Sequence, residues 1–254
     1  MGDSRAGVMI AVVIPCFNEA ARLDVATVGA AIDERPDWRF LFVDDGSTDN
    51  TDKVLETIRA PRQARVSVIA SALNRGKGEA VRCGMLAAIE GSADVVAYMD
   101  ADVSAPFCEL DRLVARLQAE DRLDVVLGSR VRLLGTDVRR APLRHFVGRI
   151  YGTVASLALG VAVYDTQCGA KAFRTTTQLI EALSYPFSER WAFDVELLSR
   201  LTRGAGDSAW QRIVEEPLLV WHAQPGSKLG LAQAARAGAA LLRIGWRHRR
   251  GDPA

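Results

Sequence analysis

Five short apolar runs constrain this chain more than any other feature: VMIAVVI (8–14), FLFV (40–43), VSVIA (66–70), DVVAYM (94–99) and DVVLGS (124–129). Between the first four lie segments of helical period near 19–34, 50–60 and 77–90. Alternation of this kind predicts an α/β fold, a mainly parallel sheet with helices on both faces. Right-handed crossovers then bring the C-terminal ends of the strands to one edge, where open sheets bind ligands. The runs themselves are interchangeable Val, Ile and Leu, but the residues after them are polar and specific: PCFNE, DDGSTDNT, NRGKG and DADVS. Chemistry is expected at those four strand ends.

A chain of 254 residues is long enough for one large domain with a substantial core. With 49% hydrophobic and 25% charged residues it has the composition of a folded globular protein. A formal charge of +1 excludes bulk binding of nucleic acid, so any basic patch is local. Cys16, Cys83, Cys108 and Cys168 form no CxxC pair, which argues against a zinc ribbon or a disulfide framework and fits a reduced compartment. The N-terminus has no secretory pattern, and no apolar stretch reaches the roughly 20 residues of a membrane-spanning helix. A cytoplasmic protein is expected.

Several residues stand out on chemical grounds. Asp44 and Asp45 place like charges together at a strand terminus, where ligand binding explains them better than a turn does. Ser47, Thr48 and Asp49 read as turn and helix-cap residues. Lys77, between glycines at a helix start, belongs to a stretch that is neither a P-loop nor GxGxxG and that alone reads as a generic Gly-rich turn, but its place on the same edge is compatible with a phosphate contact from Lys77 or backbone N–H groups. Asp100 and Asp102 alternate along an extended backbone, so both can point to one side if that geometry persists. Their hard oxygens suit Mg²⁺ or Mn²⁺.

The second half is less regular. The segment 143–160 reads as a partly exposed amphipathic helix, followed by a loop, DTQCGAKAF, helical segments near 175–184 and 191–203, and strand-like RIVEEPLLVWH. Arg130, Arg132, Arg139, Arg140, Arg144 and Arg149 flank that apolar helix, a pattern compatible with a solvated charge run or with an anionic head group on a lipid. From Leu229 to Arg250, Arg236, Arg243, Arg247 and Arg250 share one helical stripe and Leu231, Leu241 and Leu242 lie broadly opposite. This basic amphipathic helix fits either an anionic membrane surface or packing of its leucines on the domain. Residues 1–225 are taken as one catalytic domain and 226–254 as the helical extension.

Taken in order and spacing, VVIPCFNE, FLFVDDGSTDNT, NRGKGEAV, MDADVS and GSR resemble the family-2 glycosyltransferases of GT-A fold. DTQCGAKAF, RWAFDVELL and VWHAQPGSKL are similar to the dolichyl-phosphate β-glucosyltransferase branch, and the QxxRW motif of processive synthases is absent. The resemblance implies a metal-dependent, inverting transfer of a hexose, glucose by preference, from a UDP-sugar to a polyprenyl phosphate. A soluble enzyme of the same fold acting on a natural product, small molecule or peptide is the alternative, and a non-catalytic nucleotide-sugar-binding protein a third.

Residue by residue, the resemblance places Pro15, Phe17, Glu19, Asp44, Asp45 and Lys77 around the donor nucleotide. Asp100 contacts the sugar or ribose side and Asp102 holds Mg²⁺ or Mn²⁺ on the diphosphate. Arg130, Arg144 and Lys171 grip an acceptor phosphate, and Asp194 faces the acceptor. Ser104 stands where mannose synthases commonly carry a Gln ligand, which turns attention to His222 as a third metal ligand beside Asp100 and Asp102. Peripheral membrane contact is implied; a nucleic-acid partner is not.

Overall fold

The computed structural model describes residues 7–139, 142–203, 207–224 and 231–250. The chain begins β1 (Ile10–Cys16), α1 (Val25–Asp33), β2 (Trp38–Asp44), α2 (Thr51–Arg59), β3 (Val66–Ala70), α3 (Lys77–Glu90), β4 (Val95–Met99), α4 (Phe107–Ala119) and β5 (Val125–Ser129). Each apolar run is a strand within about two residues of its expected bounds. The chain continues through β6 (Asp137–Arg139), α5 (Pro142–Leu159), β7 (Ala170–Arg174), α6 (Thr177–Leu183), α7 (Phe193–Leu201), α8 (Asp207–Trp210), β8 (Ile213–Pro217), β9 (Val220–His222) and α9 (Leu231–Arg250).

Seven strands form one sheet in the order β3-β2-β1-β4-β7-β5-β8, and β6 pairs with β9 apart from it. The sheet is parallel except for β7, which runs antiparallel to both β4 and β5. Strand order reverses between β1 and β4, so the crevice outside their C-terminal ends is the natural ligand site.

Two expectations need correction. AKAFR, read as part of a loop, is β7, because Ala170, Ala172 and Phe173 complete the buried sheet while Lys171 disguises the apolar pattern. RIVEEPLLVWH is not one strand: it divides after Pro217 into β8 and β9, which belong to different sheets.

Alternation along β1 builds the core on both faces. Ile10, Val12 and Ile14 join Phe40, Phe42, Leu55 and Ile58 on one side. Ala11 and Val13 join Val43, Met85, Tyr98 and Phe173 on the other. Each fully buried aliphatic side chain contributes about 1.5–3 kcal/mol. Gly84 brings α3 directly onto the sheet, since a Cβ there would overlap Val13 and Val43. Gly84→Val is expected to lower stability by about 1–3 kcal/mol through overpacking, measured by denaturant unfolding.

The C-terminal helix is part of this packing. Leu241 and Ile244 of α9 lie in the same core as Val13 and Tyr98, and Gly245 lets the helix approach Ala158 of α5. Arg243 bonds Glu189 at 2.8 Å and Arg247 bonds Ser188 at 2.8 Å, so part of the basic stripe is engaged with the body of the protein. Leu231 and Arg236 have side chains outside the described residues. Among the described residues, no helix is long and apolar enough to cross a membrane.

Candidate active site

The polar strand ends are latched together by short side chains. Asn18, in the left-handed region at φ 54°, accepts from Thr48 N at 2.8 Å, and its own N–H donates to Ser47 Oγ at 3.0 Å. Thr51 Oγ1 accepts from Glu19 N at 2.8 Å, and Asp49 accepts from Thr51 N at 2.9 Å. Ser47, Thr48 and Asp49 are therefore the loop-closing residues their types suggest. Asp44 Oδ1 accepts from Ser47 N at 2.9 Å. Both oxygens of Asp45 are occupied by backbone, Arg75 N at 2.8 Å and Gly76 N at 2.7 Å. Asp45 thus shapes the turn that launches α3, where Gly76 has φ 100°. The buried Glu19 carboxylate is gripped by Arg22 (Nε to Oε2, 2.8 Å), and burial raises its pKa above the usual range.

Next to these loops is a cavity of about 930 Å³. Phe17, Lys77, Asp100, Asp102, Arg130 and Asp194 line it. Pro15, Glu19, Asp44, Asp45, Lys171 and His222 are not on its wall.

Lys77 Nζ lies 2.5 Å from Asp100 Oδ1. Desolvation works against both charges, but each partner outweighs it: Asp100 and then Asp194 hold the Lys77 pKa above normal, and Lys77 holds the Asp100 carboxyl below normal. Asp100 sits against the start of β7, accepting space from Gly169, where any Cβ would overlap the carboxylate. The backbone turns instead of staying extended: Val103 has φ 48°, and Asp102 Oδ1 accepts from Ser104 N at 3.0 Å. Both aspartates nevertheless reach one cavity.

The other candidate cations are largely engaged. Arg130 makes a bidentate pair with Asp165, at 2.6 Å from Nε and 2.7 Å from Nη2, and lies 5.4 Å from the Trp221 ring. Burial opposes its charge, but Asp165 raises its pKa further. Lys171, only 2% exposed, donates to Asp194 Oδ1 at 2.5 Å, Tyr98 Oη at 2.5 Å and Cys168 O at 2.6 Å. An ammonium has three donors, so none is left for a ligand in this arrangement. Asp194 also accepts from the Tyr98 hydroxyl and from Gln167 Nε2 at 3.3 Å, so three side-chain donors hold this cavity-lining carboxylate. Burial, and then the Asp194 charge, push the Tyr98 hydroxyl well above its ordinary pKa. Arg144 lies on α5, but its side chain is outside the described residues.

His222 adjoins the aspartate loop through its backbone, donating to Ser104 O at 2.9 Å, while its ring Nε2 contacts Asp137 Oδ2 at 2.8 Å. The structure does not assemble Asp100, Asp102 and His222: among the described residues no three His, Cys, Asp or Glu side chains are grouped to hold a metal. What fits a divalent cation is the pair of hard carboxylates lining one cavity, of which Asp102 is half-buried. Mg²⁺ and Mn²⁺ accept such a pair when water and phosphate oxygens complete the shell.

Sequence reasoning missed Asp165, Tyr98 and Gln167 as the partners that orient Arg130, Lys171 and Asp194. Asp165 and Gln167 stand in the conspicuous DTQ stretch, which was the available signal.

A family model described as Glycosyl transferase family 2 matches residues 11–177, the stretch that contains β1 to β7 and the aspartate loop. The chain belongs to that family. This glycosyltransferase is 30% identical over 245 residues to the dolichyl-phosphate beta-glucosyltransferase of Saccharomyces cerevisiae, covering 89% of this chain and 70% of the relative. It is 32% identical over 190 residues to the polyprenol monophosphomannose synthase of Mycolicibacterium smegmatis, covering 74% and 70%. Glucosyl-3-phosphoglycerate synthase from Mycobacterium tuberculosis, solved with Mn²⁺, UDP and glucosyl-3-phosphoglycerate, superposes with a TM-score of 0.69 at 20% identity, over 98% of this chain and 82% of that one. The glycosyltransferase therefore has the GT-A architecture expected from its motifs.

Proposed function

We propose that this enzyme transfers a hexose, glucose by preference, from a UDP-sugar to the phosphate of a polyprenyl chain, with inversion at the anomeric carbon. The observation that carries this reading is the composition of the cavity. Lys77, Asp100 and Asp102 line it together with residues of α5 and with Gly238 and Leu241 of α9, and both helices also expose apolar side chains. On α5, Phe146 (65% exposed), Ile150 and Leu157 (69%) follow helical spacing; on α9, Leu242 (71%) and Trp246 (53%) do the same. Arg249 and Arg250 are exposed beside them, with the Arg250 guanidinium 4.0 Å from the Trp246 ring. A soluble acceptor needs no such surface, whereas an acceptor with an apolar tail enters from a lipid interface. The dolichyl-phosphate and polyprenol relatives agree with that acceptor class.

In this reading Lys77 swings its charge between Asp100 and the donor diphosphate, stabilising negative charge as UDP departs. A divalent cation held by Asp102 with Asp100 supplies Lewis-acid stabilisation of the same leaving group when bound. An acceptor phosphate is already ionised near neutral pH, so no strong base is needed, which suits an Asp194 neutralised by Lys171. Asp165 fixes the Arg130 guanidinium so that it orients anionic substrate without moving.

The donor is tested by incubating the protein with UDP- and GDP-sugars in turn, Mn²⁺ or Mg²⁺ and a polyprenyl phosphate. UDP-glucose is expected to give the highest kcat/KM; preference for a GDP-sugar contradicts the donor assignment. The surface is tested by flotation with anionic vesicles. The double variant Leu242→Ser/Trp246→Ser is expected to bind them about 10-fold more weakly or worse. Undiminished binding removes α9 from the lipid contact.

A further inference from the structure

The turn that leads into Lys77 is held by two separate parts of the chain. The end of β2 supplies Asp45, which takes Arg75 N and Gly76 N, and Gly46, where a Cβ would stand 2.8 Å from Leu73 C and Asn74 N. The segment before α7 supplies Arg190. Its Nη2 donates to Asn74 Oδ1 at 2.5 Å and to Asn74 O at 3.3 Å, and a Cβ on Gly76 would stand 2.8 Å from its Nε. Asn74, Gly76, Lys77 and Arg190 all line the cavity.

Arg190 projects from an anchored segment. Glu196 of α7, paired with Arg200 at 2.7 Å, accepts from Ser188 N at 3.1 Å and from Glu189 N at 3.0 Å. Arg247 and Arg243 of α9 bond the side chains of Ser188 and Glu189. The two residues before Arg190 are thus tied to two helices, and Arg190 extends that anchorage to Asn74.

Arg190 and Asn74 are both exposed, so the bond between them adds little to stability. What it fixes is geometry. A guanidinium only donates, so the Asn74 amide must turn its oxygen to Arg190 and its Nδ2 elsewhere, while the second acceptor, the Asn74 carbonyl, fixes the backbone. Three residues on, Lys77 Nζ stands 2.5 Å from Asp100. Displacing a group that must meet substrate by about 1 Å can cost as much as 10²-fold in rate.

We infer that Arg190 is a positioning residue for donor binding: through Asn74 it fixes the turn that sets Lys77 against the donor diphosphate, without touching the donor itself. The inference rests on the proposed function only in taking a nucleoside diphosphate to bind beside Lys77 and Asp102.

A double-mutant cycle on the full chain tests it, with UDP and GDP titrated separately by calorimetry in the presence of Mn²⁺. Arg190→Met is expected to bind the preferred nucleotide about 5-fold more weakly than wild type, and Arg190→Lys, which still donates to Asn74, to recover part of the loss. In an Asn74→Ala background the same Arg190→Met change should alter affinity by less than about twofold, because the two residues act as one unit. The Tm of Arg190→Met should stay within about 4 °C of wild type. Wild-type affinity in Arg190→Met overturns the inference. An undiminished loss in the Asn74→Ala background does so too, since Arg190 would then touch the nucleotide directly, and a larger fall in Tm makes the residue structural. Tighter binding of GDP contradicts the UDP-sugar reading alone, and the cycle read on GDP still decides the role of Arg190. Binding of neither nucleotide by wild type overturns the inference outright.

Discussion

Replacing Lys171 with methionine is expected to cost about 3–5 kcal/mol of stability and to lower Tm by about 6–20 °C. The ammonium is the only cation bonded to the buried Asp194 carboxylate among the described residues, and both side chains are almost fully enclosed. Removing it leaves the Asp194 charge buried without a cation, held only by the Tyr98 hydroxyl and Gln167. The double variant Lys171→Met/Asp194→Leu is expected to recover much of that loss, because a buried ion pair replaced by apolar groups is often close to neutral. Thermal unfolding of the two variants decides between roles. A Lys171 whose work is to grip the acceptor phosphate would leave Tm unchanged on substitution and lower only transfer.

Asp102→Ala should do the reverse. Asp102 is half-buried and has one structural hydrogen bond, from Ser104 N, so its removal is expected to shift Tm little. Turnover should fall at least ~10²–10³-fold, the scale on which removal of a single group stabilising transition-state charge is felt. The check is kcat measured across a Mn²⁺ titration. Normal turnover by Asp102→Ala at every metal concentration would contradict the assignment of Asp102 to the leaving diphosphate.

The contrast between these two variants marks what can be read from sequence. The strands and the one edge that carries the polar loops follow from local period, and Asp100 and Asp102 reach the cavity because β4 ends there. Asp45 was placed beside the donor nucleotide, and nothing local says that its carboxylate is taken up by the N–H groups of Arg75 and Gly76. The rest depended on partners distant in the chain. Lys171 looked like a ligand-binding cation because its burial results from β7 inserting antiparallel between β4 and β5, a pairing that no short-range pattern encodes. Arg130 is fixed by Asp165 and His222 is bonded to Asp137, contacts set by the loops around β6 and α5 and not by any motif.

The central claim, hexosyl transfer to a lipid-linked phosphate, is tested most directly by product analysis. Wild-type protein is incubated with UDP-glucose, divalent metal and a short polyprenyl phosphate, and the lipid fraction is weighed by mass spectrometry and its anomeric configuration read by NMR. The expected product is the polyprenyl phosphate enlarged by one hexose in β linkage. Tight binding of UDP-glucose without formation of any glycosylated lipid would contradict the claim.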